Sequence, residues 1–184
     1  MKTIKTLLLA TLVGTATVAT AAPLKTDLAK SSVSATFKQM NVPVEAPFKT
    51  FAAQIDYDAA QPAASKASVE ITTASFDIGD DMYNKEVAKK EWFNSAQFPK
   101  ATFVSTAIAP AGAGKLNVTG KLTMKGKTAN VSFPLTVKAE GGNQVFEGQL
   151  PIKRLAFNIG EGEWKDTSMV ADEVVIKFRV AAKP

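Results

Sequence analysis

The chain has 184 residues, of which 46% are apolar, 21% charged and 8% aromatic, a balance that fits one packed domain rather than a disordered, collagenous or coiled-coil chain. It contains neither Cys nor His, which excludes disulfide scaffolds, Cys/His zinc sites, haem attachment, and Ser-His-Asp or Cys-His catalytic units. The net charge is +5 from 22 basic and 17 acidic side chains; these are dispersed, with no basic run interleaved with aromatics, so nucleic acid is excluded as a partner.

Residues 1–21 read as a cleaved secretory signal. Lys2 and Lys5 give a positive start, a Leu/Val/Ala/Thr run follows, and Ala19-Thr20-Ala21 is a small-residue cleavage site. The run is broken by Thr and falls short of the ~20 apolar residues of a span, and no Cys follows to carry a lipid, so no stable membrane anchor is expected. This reading places the mature chain, 22–184, in the periplasm as a single domain.

The mature sequence alternates apolar and polar residues repeatedly, with Gly, Pro and Asn between the runs, which predicts strands at 32–38, 48–58, 66–78, 101–109, 114–124, 128–139, 144–157 and 170–182. Four inward faces stand out: Leu116, Val118, Gly120, Leu122 and Met124; Ala129, Val131, Phe133, Leu135 and Val137; Phe146, Gly148, Leu150 and Ile152; and Val174, Ile176, Phe178 and Val180. Lys125-Gly126-Lys127-Thr128 reads as a short hairpin between the first two. Eight antiparallel strands with one dry face each form either a barrel or two stacked sheets. Long strands, short hairpins and the removal of exposed edges favour an all-β antiparallel barrel. Between the third and fourth strands, 79–98 breaks the pattern: Asp80 and Asp81 lead and Lys89 and Lys90 trail, as suits a helix dipole. Met82, Tyr83 and Val87 fall at helical spacing, on a helix that either lids the barrel or plugs one end.

Few constellations suggest chemistry. Gly112-Ala113-Gly114-Lys115-Leu116 lacks both the first Gly and the Ser/Thr of a phosphate loop and reads as a hairpin. Asp77, Asp80 and Asp81, and Glu161 with Glu163, are the carboxylates to consider for a hydrolase or a calcium site; the first group is placed like helix caps and the second lies in a Gly-rich turn. Arg154 continues the inward parity of Ile152, and Asp172 that of Val174, so a hairpin sets them opposite each other as a buried ion pair or leaves Arg154 to bind an anionic head group. Gly120, Gly148, Ala53, Ala67 and Ala129 are small where a filled core wants bulk, which leaves room for a cavity, although Gly also marks bends.

Taken in order, Trp92-Phe93-Asn94, Phe98-Pro99, Ala101-Thr102-Phe103, Leu116 with Gly120, Leu122-Thr123 and Gly126, then Arg154, Phe157, Ile159-Gly160, Trp164 and Asp172 resemble the YceI-like family across nearly the whole mature chain. Ala46-Pro47-Phe48 departs from it, since Gly is expected before Phe. The resemblance implies an eight-stranded lipocalin-like barrel, not an enzyme, that carries a polyisoprenoid lipid or isoprenoid quinone in an apolar interior, without cofactor or metal. The candidate ligand-binding residues are then Phe37, Phe51, Ile55, Val69, Ile71, Phe76, Phe93, Phe103, Leu122, Met124, Phe133, Leu135, Phe146, Leu150, Arg154, Phe157, Trp164 and Phe178. A homodimer is compatible with this reading. The competing readings are a His-independent hydrolase using Asp and Glu, and a ligand-free β-barrel interaction module.

Overall fold

The computed structural model describes residues 23–183; the signal expected at 1–21 lies outside the described residues. Alternating apolar positions produce ten strands, β1 Lys25–Thr26, β2 Ser32–Gln39, β3 Val42–Pro47, β4 Phe51–Asp56, β5 Lys66–Thr72, β6 Lys100–Pro110, β7 Lys115–Met124, β8 Lys127–Glu140, β9 Asn143–Lys153 and β10 Val170–Lys183. Every ladder is antiparallel. The order across the sheet is β3-β2-β10-β9-β8-β7-β6-β5-β4, with β1 also on β10.

The expected count of eight strands is therefore corrected to ten among the described residues. The two additions are β1, only two residues long, and β3, whose Pro43 and Pro47 hide it from a pattern search. Proline supplies no ladder donor and is tolerated there because β3 is an edge. The closed barrel is corrected as well. Directions alternate along a nine-strand path, so the edges β3 and β4 run the same way, and no ladder joins them among the described residues. The sheet curls into a half-barrel instead. Its edges meet only locally: β1 lies between β10 and β4, with the Leu24 amide donating to the Ile55 carbonyl at 2.8 Å and Thr26 Oγ1 to the Ala53 carbonyl at 2.7 Å, while Phe48 bridges Phe76.

The four inward faces named above all pack in one core with Val33, Ile55 and Phe76. β7 shows the cause plainly, because its odd positions are polar and outward while Leu116, Val118, Leu122 and Met124 are buried. The hairpin after it is a two-residue turn in which Lys125 and Gly126 both take positive φ, 46° and 73°, the handedness that matches strand twist.

One helix, α1 Asp81–Val87, lies between β5 and β6. The Asp80 carboxylate caps it, accepting from the amides of Met82 and Tyr83 at 2.8 and 3.2 Å. It is seven residues long, and the rest of the 79–98 stretch is turns, pinned by the Phe93 amide to Val87 and the Phe98 amide to Asn94. Val87 is buried and Tyr83 half-exposed, but Met82 is 70% exposed. A short helix buries only one turn's face, so the helical spacing that placed Met82 inward fails there.

Candidate functional site

The interior is not solid. A cavity of about 450 Å³ occupies the end of the half-barrel nearest α1, between β2 and β3 on one side and β5, β6 and β7 on the other. Gln39, Gly79, Asp80 and Tyr83 line it and are solvent-exposed, so it reaches the surface beside α1. Below it is a second void of about 110 Å³, lined by Ile55, Tyr57, Ile108, Phe133, Phe146 and Phe178 among others. Val69, Ile71, Phe103, Leu122 and Ile176 line both. The voids explain why Phe37, Ile71, Phe103, Val174, Ile176 and Phe178, although inward and packed against the core, are only partly buried.

The candidate residues distribute as follows. Phe37, Val69, Ile71, Phe76, Phe93, Phe103, Leu122, Met124, Arg154 and Trp164 line the upper cavity. Ile55, Phe133, Leu135, Phe146, Leu150 and Phe178 line the lower one, with the shared residues. Phe51 and Phe157 line neither: Phe51 packs against the core from edge strand β4, and Phe157, 3% exposed, is shut in the 3₁₀ turn after β9. Sequence reasoning left out Val174 and Ile176, which share the parity of Phe178 and were legible by it. It also left out Ile78, Val87 and Trp92, which sit in the irregular stretch where no period points inward.

Aromatic rings furnish the upper end. Phe76 meets Phe48 at 4.8 Å and Phe93 at 5.4 Å between centroids, and Phe37 at 6.5 Å. Deeper, Phe133 joins Phe103 at 5.4 Å and Phe178 at 5.3 Å. The inward glycines are not the empty places expected of them. A Cβ on Gly120 would stand 2.5 Å from the Phe103 ring, and one on Gly148 2.5 Å from the Phe178 ring. Each glycine is a notch already filled by the phenylalanine of an adjacent strand.

Arg154 closes the upper end. Its predicted register holds, since Lys153 pairs with Glu173 one step along the ladder, yet the predicted ion pair does not form. β9 ends at Lys153, and the turn that starts at Arg154 swings the guanidinium away from Asp172, whose carboxylate instead accepts from the Leu155 amide at 3.0 Å. Arg154, 2% exposed, donates through Nε to the carbonyl of Ala171, through Nη1 to Ile159 and Gly160, and through Nη2 to Trp164 and Val170, at 2.7–3.2 Å. A guanidinium has five N–H groups, and all five are used. Burial pushes its pKa down, opposed by the charge of Asp172. Trp92 packs on Trp164 at 5.3 Å and lies under the Arg154 guanidinium at 5.5 Å. The side chain is a rivet through the loops, with no donor left for a head group.

The carboxylates are likewise engaged. Asp77 ion-pairs Lys49 at 2.5 Å and accepts from Asn84 and the Gly79 amide; the lysine first, then Asn84, hold its pKa down at about 2. Glu161 accepts from the nearly buried Lys125 ammonium at 2.9 Å, which lowers its pKa. The same ammonium donates to the carbonyls of Lys90 and Asn158. Among the described residues no three acidic side chains gather as metal ligands, and no helix is long and apolar enough to cross a membrane.

The family model described as "YceI-like domain" matches residues 24–182. The chain belongs to the YceI-like family. Of the residues on which the resemblance rests, Trp92, Arg154, Gly160 and Trp164 gather around the rivet, and Phe103 and Gly120 meet on adjacent strands. Among solved structures, BcnA of Burkholderia cenocepacia is 60% identical, with a TM-score of 0.84 over 86% of this chain and 100% of that one. A polyisoprenoid binding domain from Saccharophagus degradans shares the fold at 17% identity, with a TM-score of 0.68 over 89% and 98% of the two chains. A UPF0312 protein of Pseudomonas putida is 39% identical over 94 residues, 51% of this chain and 49% of that protein. The matched region thus spans about half the length of such curated relatives.

Proposed function

We propose that this YceI-like protein is a periplasmic carrier that holds the tail of a polyisoprenoid or isoprenoid quinone in the upper cavity. The observation that carries the reading is the cavity itself: about 450 Å³, within the range of small-molecule sites, walled by Val, Ile, Leu, Met and Phe side chains and open beside α1. A prenyl tail needs dry surface rather than hydrogen bonds, and each buried methylene contributes about 0.8 kcal/mol. The name of the Saccharophagus degradans domain supports the ligand class, and the signal-like residues 1–21 support export. Binding is favoured over hydrolysis because the acidic side chains near the cavity are already engaged: Asp77 is ion-paired with Lys49, and Asp80 and Glu86, which both line the cavity, cap the helix and pair with Lys89 respectively, while Glu161 is tied to Lys125.

The test is organic extraction of protein purified from the periplasm of its host, followed by mass spectrometry, with Ile176→Trp as the comparison because Ile176 lines both cavities. The expected result is a prenyl lipid in the wild type and much less in the variant. Equal recovery from both, or no prenyl lipid together with no uptake of added isoprenoid by the delipidated protein, would refute the carrier reading.

A further inference from the structure

The two voids abut along one short boundary, and its only aromatic member is Phe103. This ring is placed by the sheet rather than by chance. Phe103 stands on β6, and its edge rests over Gly120 of β7 so closely that a Cβ there would lie 2.5 Å from ring carbons Cε2 and Cζ. On its other side the ring meets Phe133 of β8 at 5.4 Å. Phe133 meets Phe178 of β10, whose ring rests over Gly148 of β9 in the same way. Five neighbouring strands thus supply Phe, Gly, Phe, Gly, Phe, and the glycines let the rings settle into one belt across the interior wall.

Resting on the carrier reading, we infer that this belt divides the interior into a main chamber and a terminal subsite, with Phe103 setting the length of tail that is accepted. The main chamber takes the tail up to the ring. The lower void, about 110 Å³, is somewhat smaller than the apolar cavity of about 150 Å³ that takes up benzene, so it suits about one branched five-carbon unit, the repeat of a prenyl chain. Its walls are mostly aliphatic and aromatic side chains, with Ser65 and Lys66 also on the lining, and the apolar ones give that unit dispersion contacts. A tail that ends at Phe103 leaves the subsite empty, and a tail one unit longer enters it only past the ring.

The experiment measures the affinity of delipidated protein for unbranched prenyl alcohols of two, three, four and five isoprene units, in wild type, Phe103→Leu and Phe103→Trp. In the wild type, affinity should rise with each unit until the main chamber is full and then level off, because units left in water add nothing. Phe103→Leu should move that levelling one unit outward, with at least a tenfold gain for the first chain beyond the wild-type limit; Phe103→Trp should move it one unit inward. Urea midpoints of the three proteins establish that each is folded, and the inward shift in Phe103→Trp keeps the inference open to refutation if the leucine variant is unstable. Identical length profiles in folded variants would overturn the division while leaving the carrier reading intact. Failure of the wild type to bind any of the alcohols would overturn the carrier reading, and the division with it.

Discussion

Arg154→Ala is the substitution whose cost can be worked most directly from the structure. The side chain satisfies five carbonyls, and its bonds to Ile159, Gly160 and Val170 are fully buried, whereas those to Ala171 and Trp164 are partly buried. Each buried acceptor left without a partner costs about 1–3 kcal/mol. The partly buried two regain water and are set aside. Taking the lower part of the range, because water can enter some of the vacated volume, gives a loss of about 3–5 kcal/mol, against a typical domain stability of about 5–15 kcal/mol. At a urea m-value of about 2 kcal/mol/M the midpoint falls by about 2 M. Trp92 and Trp164 flank the site, so intrinsic fluorescence reports the unfolding. Arg154→Lys keeps the charge but not the planar fork and should lose about half as much. Both variants should leave the preference between phosphorylated and neutral prenyl chains unchanged, since no Arg154 N–H is spare in the wild type. A loss below about 1 kcal/mol for Arg154→Ala, or a selective loss of phosphorylated ligand in a folded Arg154→Lys protein, would refute the rivet.

Two further outcomes follow from the same region. Gly160 has φ +84°, and a Cβ there would collide with Arg154 Nη1; Gly160→Ala should destabilise the wild type by about 2 kcal/mol or more, and by clearly less in an Arg154→Ala background, where the collision is gone, as a double-mutant cycle in urea would show. Asp77 has its pKa lowered from 3.8 to about 2 by Lys49, Asn84 and the Gly79 amide. A depressed folded-state pKa means that its contribution is present above pH 3.8 and is lost as the pH falls toward 2; Asp77→Asn should flatten the acid limb of the stability curve in that window, and an unchanged limb would show that Asp77 is not coupled to folding.

Strand parity was the legible part of this molecule. Positions such as Val118, Phe133, Leu150 and Phe178 alternate with polar neighbours, and burial of one sheet face dictates that pattern directly. The register of β9 on β10 was readable for the same reason. What parity cannot carry is the fate of a side chain where a strand ends. Arg154 has inward parity, but its turn conformation lets it reach five carbonyls instead of one carboxylate. Nor does the pattern mark edges: β3 contains two prolines, and only the sheet order shows that no central ladder bond is missing there. Trp92, Ile78 and Val87 line the cavity from turns and one short helix, where position depends on contacts distant in sequence.

The inward glycines show how a small residue makes room without leaving a hole beside itself. An apolar void of about 110 Å³ forgoes about 2–3 kcal/mol of packing at ~24 cal/mol per Å³, which is a large share for a domain held together without a cross-link. The core could have been filled by ordinary side chains at Gly120 and Gly148. Either would drive the Phe103 or Phe178 ring off the wall and toward the axis of the half-barrel, since the backbone carbonyls of Val104 and Pro134 block the other side of each notch at 2.5 and 3.0 Å. The glycines therefore let two large rings lie against the wall, where the Phe103 ring forms the boundary between the chambers and the axis on either side of it stays open. Bulk has been moved from the axis to the lining, which is the arrangement a carrier of an apolar chain requires and a packed interaction module does not.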